Sequence, residues 1–129
     1  MTTGYATTLR NAQLDAITTA VGSAGKLQIY DGTRPATGGT ATTKLAEFTL
    51  GTPFAAGAAS AVLSPTLPAN VSGLTAGTAT WFRITTSAGG FVIDGSAGTS
   101  GTDLVLNTAT ISIGVTVSVT GFTITRGNP

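Results

Sequence analysis

A chain of 129 residues is the usual size of one domain, and its 41% apolar content argues against disorder despite 18 glycines. Only 9% of residues are charged, against about 25% in an average soluble domain, and a net charge of +1 gives no field to attract nucleic acid or an anionic membrane. Cys and His are both absent, which removes disulfides, thiolate metal sites and the commonest general base.

The polar surface must therefore come from Thr, Ser, Asn and Gln, and roughly one residue in five is Thr. Thr is β-branched and fits the solvent side of a pleated sheet. So little charge suits a Thr-rich sandwich standing alone, or a protein whose faces are covered by neighbours. Composition leaves both open.

The first element is a helix over residues 7–21. Thr7 or Thr8 is placed to cap it, and Leu14, Ile17 and Val21 share one face. Ala12, Ala16 and Ala20 form a small-residue row, and Gly22 can end the helix with positive φ. Such a helix either plugs one end of a β domain or packs against a partner subunit. The start of the chain carries no basic region followed by an apolar one, so no secretory signal is expected. No apolar run is long enough to span a membrane.

From Lys26 the period changes to alternation, with Leu27 and Ile29 on one face of a strand ending at Tyr30. Asp31-Gly32 turns the chain, and residues 33–40 form a Gly- and Thr-rich loop. Alternation returns from Lys44 to Leu50, with Ala46, Phe48 and Leu50 on one side. Residues 51–77 resist assignment. Ala59 to Leu63 reads as a strand, and Pro65 and Pro68 mark a loop after it. A hairpin follows: Thr78 to Thr86, a turn at Ser87–Gly90, and a return over Phe91–Asp94, with a loop from Gly95 to Gly101. Leu104 and Leu106 alternate. Ile111, Ile113, Val115, Val117 and Val119 then fall on five successive odd positions, which predicts one long strand with one buried face. Phe122 and Ile124 reverse the phase, so a bulge or corner is expected near Thr120-Gly121. The sum is an all-β, antiparallel sandwich of seven or eight strands over residues 26–126 behind one short helix, in a single domain.

Motifs for chemistry are missing. The acids Asp15, Asp31, Glu47, Asp94 and Asp103 sit in different elements, so no metal site, cofactor or catalytic residue is expected. Asp31-Gly32-Thr33 and Asp94-Gly95-Ser96 lack the residue order of an aspartic protease and read as turns. Gly22 to Lys26 follows a helix and is too short for a phosphate loop, and Asn70-Val71-Ser72 reads as a chance sequon. Trp81 and Phe82 point to opposite faces, one of them to the core. The other is core of the second face, a sugar-stacking platform or an interface anchor. Arg83, alone among apolar neighbours, is a solvated edge residue or a partner across an interface. Tyr5, Tyr30, Arg34, Trp81 and Arg83 are the candidate interface residues.

The order of segments carries a resemblance. It runs from the Leu9–Val21 helix through Lys26–Gly32 and Leu45-Ala46-Glu47-Phe48-Thr49-Leu50. It continues with Trp81-Phe82-Arg83-Ile84, Val92-Ile93-Asp94-Gly95-Ser96, Asp103-Leu104-Val105-Leu106-Asn107 and the tail to Arg126. In these the chain resembles the capsid decoration, or cement, proteins of tailed bacteriophages. The resemblance implies a jelly-roll-like β-sandwich, made in the host cytoplasm, that sits on the capsid exterior as a homodimer or homotrimer. It would bridge neighbouring major capsid subunits and stabilise the head, with no nucleic acid or membrane as partner. A carbohydrate-binding or adhesion sandwich, or a phage tail or fibre subunit, is the alternative. In none of these roles is the protein an enzyme.

Overall fold

The computed structural model describes residues 3–126. It is mostly β, with one short N-terminal helix. Helix α1 runs Thr7–Val21. The strands are β1 (Lys26–Tyr30), β2 (Lys44–Thr49), β3 (Val62–Leu63), β4 (Val71–Ser72), β5 (Gly77–Thr78), β6 (Trp81–Thr85) and β7 (Phe91–Gly98). They continue with β8 (Leu104–Leu106), β9 (Thr110–Ile111), β10 (Thr116–Val117), β11 (Val119–Phe122) and β12 (Ile124–Thr125). The sequence leads one to expect seven or eight strands. Twelve segments form among the described residues, because Gly, Pro and Ser break the later chain into two-residue pieces.

The principal sheet has the order β11-β8-β7-β6-β1-β2, and three two-stranded ladders pair β10 with β4, β12 with β3 and β5 with β9. One contact departs from the antiparallel expectation: β8 runs parallel to β7, with Ala97 opposite Leu104. One face of the sheet presents Leu27, Ile29, Ala46, Phe48, Phe82 and Ile84 to a continuous apolar cluster. Leu14 and Val21 of α1 close it, together with Phe54, Leu63, Ile111 and Val117 from the loops and ladders.

The helix spans the expected residues, but its N-cap lies one residue before the expected caps. Ala6 is the N-cap and makes no side-chain capping bond; its carbonyl accepts the Arg10 N–H. Thr7 lies in the first turn and accepts from the Arg10 guanidinium. Gly22 ends the helix at φ 70°, as anticipated. The polar side of the helix organises a loop. Asp15 accepts the Ala58 N–H at 2.7 Å and Asn11 accepts the Ala61 N–H at 2.8 Å. Between them Ser60 and Ala61 both take positive φ, so the expected Ala59–Leu63 strand is a tight turn that leaves only β3.

Two further expectations fail for identifiable reasons. Residues 95–98 continue β7 instead of forming a loop, and Asp94-Gly95 is mid-strand instead of a turn. Gly95 is required there by close approach: a Cβ would lie 2.5 Å from the Phe82 ring. The long strand over residues 111–119 is also broken. Gly114 takes φ 84°, and the Val115 N–H bonds back to the Ser112 carbonyl. Ile113 is 76% exposed as a result and Val115 39%. The expected irregularity near Thr120-Gly121 is present, as a register shift of β11 against β8 between Val119 and Gly121. It lets Val119 and Phe122 both be buried despite their opposite phase.

Candidate functional site

Three of the five candidate residues meet on the sheet face opposite the core. The register across β2, β1, β6 and β7 aligns Glu47, Gln28, Arg83 and Asp94 in one row. The next row holds Lys44, Tyr30, Trp81 and Ser96. Tyr30 and Trp81 stack at 4.4 Å between ring centroids, 17° from parallel. The Arg83 guanidinium lies over Trp81 at 5.2 Å and beside Phe91 at 5.3 Å, so it is sandwiched between two rings.

Arg83 is neither solvated nor at an edge. Its strand is central in the sheet. Its Nε donates to Asp94 Oδ1 at 2.7 Å and one terminal nitrogen to Asp94 Oδ2 at 3.0 Å, a bidentate pair. The same nitrogen donates to the Gly39 carbonyl at 2.8 Å, and the Gly38 N–H donates to Asp94 Oδ2 at 3.0 Å. The ion pair therefore latches the 33–43 loop over the sheet. Burial pushes the Asp94 carboxyl up, but the Arg83 bonds, the Gly38 N–H and the Arg34 charge outweigh it and hold the group below its ordinary range. Asp94 in turn raises Arg83.

Trp81 is 1% exposed, and its indole N–H is shared between the Asp31 carbonyl and Thr42 Oγ1, each at 3.0 Å. Tyr30 is 6% exposed, its hydroxyl donates to Gln28, and burial raises its pKa. Gln28 donates to Glu47, as does Lys44 at 2.9 Å, and these bonds lower the Glu47 pKa. Neither aromatic is a sugar-stacking platform, so the exposed-aromatic basis of the carbohydrate-binding alternative fails for both. Arg34 is exposed on the covering loop. Tyr5 stands apart from this cluster, with the Arg126 guanidinium 6.0 Å from its ring centroid.

A second feature was not anticipated. Gly73 donates to the Val115 carbonyl and accepts from Gly114, tying the 71–75 and 112–116 loops together. A Cβ on Gly73 would sit 2.2 Å from the Ser112 carbonyl oxygen, so only glycine permits this approach. The paired loops form a tip that carries Leu74, Ile113 and Val115, with Leu74 52% exposed. On α1, Leu9 is 47% exposed and Ala12, Ala16 and Ala20 also face solvent.

Among the described residues no group of three or more acidic, His or Cys side chains is placed to hold a metal ion. No helix among them is long and apolar enough to cross a membrane. Comparison with protein-family models, curated protein sequences and solved structures found no match.

Proposed function

We propose that this protein is a structural virion component without enzymatic activity, a decoration protein that binds the outside of a phage capsid through its apolar tip. The observation that carries this reading is Leu74, Ile113 and Val115 exposed together on glycine-locked loops. Large apolar side chains on a braced, charge-poor surface favour burial against another protein, because association removes them from water with little desolvated charge. The segment-order resemblance points the same way. Bridging of neighbouring major capsid subunits, and a dimer or trimer, belong to the reading. Many copies on one shell would multiply a modest contact by avidity.

The fold that goes with this reading is a jelly-roll-like β-sandwich, with the short ladders as its second layer. Leu63, Ile111 and Val117 of those ladders, buried in one cluster with the sheet's Phe48 and Phe82, support it.

The test is to add purified protein to phage heads stripped of their accessory protein. Saturable binding, with density repeating at the shell's symmetry positions, is the expected result. A chain that stays monomeric in light scattering and leaves the heads bare would contradict the proposal.

A further inference from the structure

We propose that the gap between β7 and residues 122–125 is a receptor slot for an extended peptide segment of a partner protein, one carrying an apolar residue and, two positions on, a basic one. Strand β8 occupies the lane between β7 and β11, where Leu104 stands opposite both Ala97 and Phe122. Before Leu104 the chain leaves this lane through the 99–103 loop. The lane itself continues between Ile93–Gly95 on one side and Thr123–Thr125 on the other, as a cavity of about 250 Å³. Two strand spacings make such a lane about 9.5 Å across, the room one added strand requires.

Main-chain groups face the lane from both walls. The Ala97 N–H donates to the Thr80 carbonyl, so by alternation residues 93, 95 and 97 turn their backbone toward β6. Asp94 and Ser96 turn theirs the other way; the Ser96 N–H already donates to Asp103, whereas Asp94 lines the cavity. On the opposite wall the Arg126 N–H donates to the Ala61 carbonyl, which directs residues 124 and 126 toward β3. Thr125 is thereby directed into the lane, and Thr123 lines it beside Phe122. A strand added here gains hydrogen bonds on both sides, and the Asp94 side chain keeps its pair with Arg83.

The lining chooses the side chains. Phe82 and Phe122, packed edge to face at 5.4 Å, lie with Ile93 and Ile124 around the cavity and suit an apolar residue. The exposed Asp103 carboxylate closes the end near Gly95, and among the described residues no Lys or Arg lines the space. Arg126, the next residue along the wall, is turned to Gln13. Residues two apart on a strand share a face, so the apolar and basic side chains reach floor and carboxylate together when the peptide runs parallel to β7, as β8 does.

The probe is acetyl-Thr-Val-Thr-Lys-Thr-amide, titrated into the ¹⁵N-labelled full chain. Saturable shifts of the Asp94, Thr123 and Thr125 amides are expected, with hydrogen exchange at Asp94 slowed. N-methylation of the three central peptide residues should weaken binding at least about tenfold, since it removes the ladder bonds. Asp103→Asn should weaken the Lys peptide about three- to tenfold and leave a norleucine peptide unchanged. No saturable shift up to about 5 mM peptide, shifts centred elsewhere, or equal binding of the N-methylated peptide would overturn the proposal. The slot shares no residue with the tip, so this assay and the shell-binding assay succeed or fail separately.

Discussion

Trp81→Ala should lower the unfolding free energy by about 3–5 kcal/mol, the range for emptying a fully buried large aromatic site. The residue lies on the sheet face away from the main core, yet it is 1% exposed. The cost has three sources. The ring leaves its stack with Tyr30, the space beneath the 33–43 loop empties, and the Asp31 carbonyl and Thr42 hydroxyl lose their indole donor. Urea unfolding measures the total. Amide exchange should show faster opening of residues 33–43 in the variant. An exposed binding aromatic would instead cost less than about 0.5 kcal/mol, so a small effect would refute the buried assignment.

Arg83→Ala should be as damaging, about 3–5 kcal/mol, because it strands a carboxylate whose side chain is 4% exposed without its counter-charge. Replacing both partners with apolar residues, Arg83→Met with Asp94→Leu, should recover most of that loss, since no unpaired charge is then buried. The pair also sets an acid limit. Asp94 and Glu47 both titrate below their ordinary values in the folded chain. Their stabilisation is therefore complete above the unfolded carboxylate range and is lost as pH falls through their folded values. The urea midpoint should hold from neutrality down to about pH 5 and fall below about pH 4. Asp94→Asn should start from a lower midpoint and show a shallower acid fall. An identical acid slope in the variant would exclude Asp94 as a contributor.

The elements visible in the sequence were those with one clear period. Leu27 and Ile29, and Ala46, Phe48 and Leu50, alternate cleanly and are buried as expected. Alternation misled where glycine intervened. Ile111 to Val119 keeps strict odd-position hydrophobicity, but positive φ at Gly114 turns the chain and leaves Ile113 and Val115 in solvent. At Gly95 the reverse holds: a residue that reads as a loop is a close-packing position inside a strand. Phe54 sat in a segment without periodicity and is fully buried. The Arg83–Asp94 pair was within reach of the sequence. A turn centred on residues 87–90 places 83 and 94 directly opposite each other, as the register does. The tip was not legible, because it depends on the approach of Gly73 to a loop some forty residues later.

If the tip is the surface that meets the shell, the affinity of Ile113→Asp for stripped heads, measured alongside the urea midpoint, will report it. Ile113 is 76% exposed, so folding stability should change by less than about 0.5 kcal/mol. Affinity should fall at least about tenfold, because a carboxylate then has to be desolvated in an apolar contact. A variant that folds as well as the parent and binds the heads equally tightly would exclude the tip as the capsid-binding surface.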